Sequence, residues 1–408
     1  MSPKSVLIGI SGGVDSSVSA ALLKDKGYAV SGAFLRFWEP KGADNKSLAD
    51  AKAVCRILGI PLEIIEARGA FEKTVIQYFL REYEGGRTPN PCVFCNEKMK
   101  FKLLFETAQK LGIEMVATGH YAQVLPTSSL PPSLKLRQAS MKHETCSMKP
   151  AYASSCANLL RQSGGQEATA DRDAPAGKHG TGNAEQKMCY KLFPASDKKK
   201  DQSYFLYRLK QEQLAKIIFP LGGYEKTEVR KLAEKFQLPV FDKSDSQDVC
   251  FMANGNLEGF LKNKIVLQFG KIVDTGGNLM GEHRGLSLYT IGQRKGIEIG
   301  GTGPYFVVSK NVQENILVVT NDINHPLIAR KKIELDDVVW ASALMSNFPA
   351  SVRVRTRYHN PLIHATIGNI SDGHCQLEFD LAQRAIAPGQ SVVFYGESEE
   401  ILGGGIIK

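Results

Sequence analysis

The stretch Val6-Leu7-Ile8-Gly9-Ile10-Ser11-Gly12-Gly13-Val14-Asp15-Ser16-Ser17 governs how the rest of the chain is read. A short apolar run reaches two glycines and passes into Ser16 to Lys26, where Val18, Ala21 and Leu22 share one face. This pattern predicts a strand, a tight loop and a helix in succession. The glycines let successive backbone N–H groups converge on one point, and a helix N-terminus adds the positive end of its dipole. The loop is therefore an anion site. Ser11, Ser16 and Ser17 offer hydroxyl donors, and Asp15 offers a carboxylate suited to a magnesium ion. No Gly-Lys-Ser/Thr ending follows, so the loop is not of the Walker type.

Outward from this loop the texture alternates. Tyr28 to Phe34 reads as a strand and Ser47 to Leu58 as a helix closed by Gly59 and Pro61. Leu62 to Ile65 reads as a strand, Phe71 to Tyr83 and Lys98 to Leu111 as helices, and Met115 to Thr118 as a strand ending at Gly119-His120. Such alternation predicts an α/β domain: a Rossmann-like parallel sheet with helices on both faces. Residues 126–187 are rich in Ser, Ala, Gly, Pro and Lys without sustained periodicity, and are expected to form a mobile insertion between two strands of this domain. Order is expected again at Met188 to Phe193, then in a helix, Lys226 to Phe236, stopped by Pro239.

Further on, short strands with Gly-rich turns are expected at Lys271 to Asp274, Gly285 to Thr290, Tyr305 to Ser309 and Ile316 to Val319. A second group covers Val352 to Tyr358, His364 to Ile370, Cys375 to Phe379 and Ser391 to Tyr395. The expected division is a catalytic domain at 1–252, a small β-rich domain at 253–330 and a β-barrel at 331–408.

A chain of 408 residues has room for two or three such domains, and 43% apolar with 23% charged residues is the balance of a globular protein, not a disordered one. A net charge of +9 suits a polyanionic partner without requiring one. Val6 to Ile10 is too short for a signal sequence, and nothing approaches the roughly 18 apolar residues that cross a bilayer. A cytoplasmic protein with no membrane partner is expected. In a reducing compartment the eight cysteines read as thiols, catalytic groups or metal ligands more readily than as a disulfide framework.

The Ser11 loop resembles the S-G-G-x-D-S loop of ATP pyrophosphatases, which hold the β,γ-pyrophosphate while a substrate attacks the α-phosphorus and becomes adenylated. Further segments are Thr88-Pro89-Asn90-Pro91-Cys92-Val93-Phe94-Cys95-Asn96, which reads as a proline-stiffened loop, and Gly119-His120-Tyr121-Ala122. Lys200-Asp201-Gln202-Ser203-Tyr204-Phe205, Asp245-Ser246-Gln247-Asp248-Val249-Cys250-Phe251 and Gly292-Gln293-Arg294-Lys295-Gly296 follow. Taken in order, and covering nearly the whole chain apart from the insertion, these segments resemble the bacterial and mitochondrial tRNA 2-thiouridylases.

That resemblance implies ATP and Mg2+ as cofactors and tRNA as partner, with the O2 of a wobble uridine adenylated. It implies sulfur carried as a persulfide on Cys250, supplied by a sulfur-carrier protein or a cysteine desulfurase relay, with Cys95 as nucleophile. ATP would lie against Gly9, Ile10, Ser11, Gly12, Gly13, Val14, Asp15, Ser16, Leu35 and Gly119. Asn90, Pro91 and Cys92 would surround the target base, and His120, Lys200, Asp201, Gln202, Arg357, Tyr358 and Gln390 would contact tRNA.

The chain departs from the family at Cys92, where many members carry an aspartate. The resulting Cys92-x-x-Cys95 pair, with Cys250, leaves open a 4Fe–4S cluster held by three thiolates. A ligase of the same ATP-cleaving class acting on a small metabolite is a further alternative. Arg353, Arg355 and Arg357 alternate with Val352, Val354 and Thr356, so one strand face would present three guanidiniums to backbone phosphates. Cys55 and Cys375 read as packing residues, while His143, Cys146, Cys156 and Cys189 match no familiar zinc spacing.

Overall fold

The computed structural model describes residues 3–38, 46–129, 189–244, 249–252, 256–300, 304–341 and 348–408. The insertion, with His143, Cys146 and Cys156, lies outside the described residues, as does the segment 245–248. Residues 1–125 and 190–408 form one compact unit and 126–189 another, of which only 126–129 and 189 are described.

The alternating N-terminal pattern folds as expected. Strands β1 (Ser5–Gly9), β2 (Ala29–Arg36), β3 (Leu62–Glu66) and β4 (Met115–Ala117) run parallel, with helices α1 (Val14–Asp25) and α2 (Lys46–Leu58) between the first three. Val6, Leu7 and Ile8 of β1 are all fully buried, although alternate residues face opposite sides, because helices cover both faces. Strands β5 (Ala122–Pro126) and β6 (Tyr190–Pro194) precede the short β7 (Ile217–Ile218), which completes the order β3-β2-β1-β4-β7. The winding therefore reverses between β1 and β4. In open α/β sheets that reversal opens a crevice at the carboxyl ends of the strands. The Ser11 loop leaves β1 and Gly119-His120 leaves β4 at this point.

The second sheet contains β8 (Gly270–Asp274), β9 (Leu279–His283), β10 (Phe306–Asn311) and β11 (Ile316–Thr320) in the order β10-β11-β8-β9. The expected strand Gly285 to Thr290 is instead a 3-10 turn at Leu286–Leu288. Gly285 has φ +137° and donates its N–H to His283 Nδ1, which ends β9 and turns the chain; Leu286 and Tyr289 then pack inward on helical rather than strand spacing.

The last six strands are β12 (Ala329–Trp340), β13 (Ala350–Arg355), β14 (Ile363–Ile367), β15 (Cys375–Arg384), β16 (Ser391–Tyr395) and β17 (Ile401–Ile407). They pair in the order β12-β15-β14-β13-β16-β17, and β12 pairs back with β17, so the barrel closes. Sequence patterning misses two of these strands. β12 carries a charged run, Arg330 to Glu334, and β17 carries Gly403-Gly404-Gly405. A Cβ on Gly404 would stand 2.7 Å from the Tyr207 ring, so glycine is what lets that ring pack on the strand.

The barrel is continuous with the N-terminal part of the chain. β17 pairs with β6 at Ile401 and Leu192, and β5 follows β6 in the same sheet. Lys191 and Glu400 form a buried ion pair of 2.9 Å across this seam. Among the described residues no helix is long and apolar enough to cross a membrane.

Candidate active site

The anion loop is assembled locally. Gly12 has φ +72°, and a Cβ there would lie 2.2 Å from the Ser47 carbonyl oxygen, so only glycine fits the turn. Ser16 Oγ accepts from the Ser11 N–H at 3.1 Å and donates to the Gly13 carbonyl at 3.2 Å, while Ser17 Oγ donates to the same carbonyl at 2.8 Å. No side chain caps the N-terminus of the twelve-residue α1. Its first-turn N–H groups therefore face the crevice, as an anionic phosphate requires. Ile10, Val14 and Ser16 are buried supports of this turn, whereas Ser11 is exposed.

Two lysines flank the loop and were not singled out by sequence patterning. Lys226 Nζ contacts Asp15 Oδ1 at 2.6 Å, and the Tyr121 hydroxyl donates to the same oxygen at 2.8 Å. Lys243 Nζ donates to the Gly12 carbonyl at 2.8 Å and contacts Asp50 Oδ2 at 2.6 Å. Each lysine lies more than 200 residues from the loop along the chain, so no local pattern could reveal it. Each lysine is balanced by a carboxylate here, so the positive character at the loop comes from the uncapped N–H groups with two lysines beside them, and the residues present fit ATP.

Gly119 joins this loop to the rest of the site. A Cβ on Gly119 would lie 2.7 Å from the Ser16 backbone nitrogen, so the β4 exit can press against α1 only as glycine. The next residue, His120, places Nδ1 at 2.7 Å from Thr118 Oγ1 and Nε2 at 3.4 Å from Lys100 Nζ. Desolvation, and then the Lys100 charge, hold His120 well below the usual histidine pKa, so its ring is neutral.

The segment Thr88 to Asn96 is not a loop throughout. Pro91–Cys95 is a helix with Pro91 at its first position and the Asn90 side chain accepting from Val93 N–H, which is where proline is tolerated and asparagine caps. Cys92 and Cys95 are thus three apart on one helix and project to one side. A π-helical turn, Asn96–Lys100, follows before Phe101–Lys110 resumes the helix.

Cys95 is buried in an aromatic cluster with Phe71, Phe79, Tyr83 and Phe251. Phe251 is the neighbour of Cys250, and its ring stands 5.1 Å from Phe79 and 5.9 Å from Phe71. The packing thereby anchors the Cys250 segment at the cluster that holds Cys95. Desolvation raises the Cys95 thiol to about 12, with smaller upward contributions from Cys250 and Cys92. Cys250 is exposed at the surface, yet enough protein surrounds its sulfur that desolvation, then Cys92, raises it to about 11. Desolvation also raises Cys92. Lys100 acts downward on all three. Among the described residues no group of three His, Cys, Asp or Glu side chains is placed to hold a metal ion.

The residues expected at tRNA divide. Tyr358 lies half-buried beside Phe205, at 4.5 Å between ring centroids, and within electrostatic reach of Cys92. Asp201 is buried instead of presented: it accepts from the N–H groups of Ala195 and Ser203 and from Ser203 Oγ, and pairs with Arg355 at 3.6 Å. Gln202 accepts from the Tyr121 N–H, and Gln390 donates to the Thr88 carbonyl at 2.7 Å. These side chains hold the site's loops in place. Lys200 and Leu35 are partly exposed.

The expected arginine face lies only partly on a strand. β13 ends at Arg355, and Arg357 follows in a bend. Arg353 donates to the Gly396 and Glu397 carbonyls, Arg355 lies over the Tyr395 ring, and Arg357 donates to the Ile291 carbonyl. Tertiary contacts engage all three, which strand periodicity alone could not show.

A parallel sheet with an uncapped, glycine-turned anion loop at its switch point defines a nucleotide-binding α/β enzyme domain, here continued by a β-barrel. Three family models cover the chain: a tRNA methyl transferase HUP domain at 4–148 and 159–254, a tRNA methyl transferase PRC-barrel domain at 258–321, and an aminomethyltransferase beta-barrel domain at 330–407. The tRNA-specific 2-thiouridylase MnmA of Coxiella burnetii (strain RSA 493) is 36% identical over 99% of this chain and 98% of its own length. That of Hydrogenovibrio crunogenus is 37% identical over 98% of this chain and 93% of its own. The chain belongs to the tRNA-specific 2-thiouridylase family.

Proposed function

We propose that this protein is a tRNA sulfurtransferase that replaces the O2 of a uridine, at the wobble position, with sulfur at the expense of ATP. The observation that carries this reading is the link between two chemistries. Gly119 abuts the anion loop, His120 beside it meets Lys100, and Lys100 acts on Cys92, Cys95 and Cys250. The nucleotide loop and the thiols are thus linked through His120 and Lys100.

The sequence of events follows from these groups. Backbone N–H groups of the Ser11 loop, with Lys226 and Lys243, grip the β,γ-pyrophosphate, and Mg2+ at Asp15 would screen its charge. The uridine O2 attacks the α-phosphorus, pyrophosphate leaves, and a poor leaving group becomes AMP. Sulfur arrives as a persulfide on Cys250 from a carrier protein or desulfurase relay. The Cys95 thiolate attacks the Cys250 sulfur; a Cys95–Cys250 disulfide forms, the persulfide S–S bond breaks, and hydrosulfide leaves with the electron pair. Hydrosulfide adds at C2 of the adenylated uridine and AMP departs. A dithiol reductant then returns two electrons to the disulfide.

Asn90, Pro91 and Cys92 would border the flipped base, with Tyr358 stacked near it. Asp201, Gln202 and Gln390 would act by holding those segments. The domain limits at 252 and 330 fall where the functions divide, with the barrel helping to seat tRNA. The methyltransferase wording of two family models fits this site less well, since a pyrophosphate-gripping loop beside three thiols suits adenylation and sulfur transfer. A small-metabolite ligase would leave the thiols unused. The test is nucleoside mass spectrometry of unmodified tRNA incubated with the protein, ATP and a persulfide donor. Formation of 2-thiouridine with stoichiometric AMP supports the proposal; AMP formation without tRNA, or a methylated product, refutes it.

A further inference from the structure

The helix that carries Cys92 and Cys95 has to be held in a fixed place, because a transfer between two groups demands that their reacting atoms meet in the right geometry. Packing alone leaves a gap beside it. A small cavity is lined by Asn90, Val93 and Phe94 at the helix and by Asp337, Gly389 and Ser391 of the barrel part. Arg208 lies at that cavity with its side chain only 7% exposed, and it reaches across.

That reach has local causes. Ser203–Leu206 is a 3-10 turn pinned on two sides: the buried Asn96 side chain donates to the Phe205 carbonyl at 3.1 Å, and the Tyr204 hydroxyl donates to the Ser391 carbonyl at 2.8 Å. Arg208 follows just beyond this turn. Its Nε–H donates to Glu97 Oε2, its Nη2 pairs with Asp337 Oδ2 at 2.8 Å, and its Nη1–H donates to the Asp337 carbonyl at 3.2 Å. Asp337 presents both oxygens where the pairing of β12 with β17 shifts register between Asp336 and Val339, and there it takes φ +51°. A bulge of this kind re-aims a side chain, and aspartate is among the few residues that tolerate the left-handed region. At the other end, Glu97 lies two residues after Cys95 in the same run of helix. A planar fork with donors on both edges therefore ties the cysteine helix to the barrel.

We propose that Arg208 is a positioning residue for sulfur transfer: through Glu97 it sets the helix bearing Cys92 and Cys95 against the barrel strand at Asp337. It acts through that helix and forms no bond to sulfur or substrate. Lysine cannot take its place, since a point charge on a flexible stem lacks the fixed fork that holds two carboxylates and a carbonyl at once. The purpose of the link rests on the sulfur-transfer reading above, whereas the link itself is measurable without it.

The test uses the full-length protein with Arg208→Lys, Asp337→Asn and the double variant. The Asp337 side chain is 58% exposed and asparagine tolerates the same backbone conformation, so Asp337→Asn keeps the test decisive if Arg208→Lys does not fold. At saturating ATP and tRNA, kcat for 2-thiouridine formation falls about tenfold in Arg208→Lys and about threefold in Asp337→Asn, while KM for tRNA stays within about twofold. The double variant is no slower than Arg208→Lys, because both changes cut one link. Amide hydrogen exchange, read by mass spectrometry, speeds up about tenfold over residues 91–100 and is unchanged over α1. A folded variant with unaltered kcat overturns the proposal, as does a fall in kcat without faster exchange at 91–100. Losses that multiply in the double variant, or a KM that rises as kcat falls, also overturn it, since separate or general damage would then be at work. Should the parent protein make no 2-thiouridine while the exchange contrast holds, the functional reading fails and the positioning by Arg208 stands.

Discussion

The nucleotide loop and the thiol centre solve opposite problems. The loop is built within a dozen residues: Ser11, Gly13, Ser16 and Ser17 bond one another, and the donors it offers are backbone groups that need no tuning. The thiol centre is drawn from Cys92 and Cys95 on one helix and from Cys250 far along the chain, held together by packing of Phe251 against Phe71 and Phe79. Burial raises the pKa of its thiols. An anion site can be written locally in a sequence, whereas a reactive sulfur is a property of its surroundings.

Four measurements test that contrast, beginning with the largest effect. Cys250→Ser removes the sulfur-bearing atom and reduces 2-thiouridine to background while ATP binding, measured by calorimetry, is unchanged. Retained thiolation would show that the thiol centre is not where the sulfur travels.

Next is the seam that ties the barrel to the catalytic sheet. Glu400→Ala leaves Lys191 charged and buried without its partner, and should lower unfolding free energy by about 3–5 kcal/mol in a denaturant titration. A loss below about 1 kcal/mol would mean that the two parts are only loosely joined.

Third is the contact between loop and thiols. Gly119→Ala places a methyl group 2.7 Å from the Ser16 nitrogen. The β4 exit must shift, and ATP affinity should fall about tenfold, or roughly 1.4 kcal/mol. Tyr121→Phe is milder, removing one hydrogen bond to Asp15, and should cost about threefold in ATP affinity.

The thiols also make a statement about pH. Cys95 is raised to about 12, and Cys55 and Cys375 to about 11, from a reference of 9.0, desolvation leading in each case. Between pH 9 and these values the unfolded chain has lost protons that the folded chain keeps. Stability is therefore fully present below the unfolded thiol pKa and declines as pH rises, by up to about 1.4 kcal/mol per pH unit for each buried thiol. Chemical denaturation followed from about pH 8 to pH 10.5 should show this slope, shallower in Cys55→Ala.

Much of the fold was legible in the chain. The alternation from Val6 to Thr118 predicts the parallel sheet because buried strands and amphipathic helices have different periods. The spacing of later short strands likewise points to β domains. Legibility stopped where periodicity was absent or borrowed. The charged β12 and glycine-rich β17 lack an alternating apolar signal, and Gly285 turned an expected strand into a 3-10 turn. At the site, the Ser11 loop was anticipated. Lys100, Lys226 and Lys243 were not, since lysines in charged helices and loops resemble ordinary surface residues until their partners are known.

The primary structure by itself determined the anion loop and the parallel order of the first domain, because each is encoded by neighbours in the chain. Only the tertiary structure decided that Asp201 and the three arginines are engaged inside the molecule, that β5 and β6 join the barrel's sheet, and that Lys100 meets His120. Those outcomes depend on which distant groups share a volume and exclude water from it, and no local spacing specifies that.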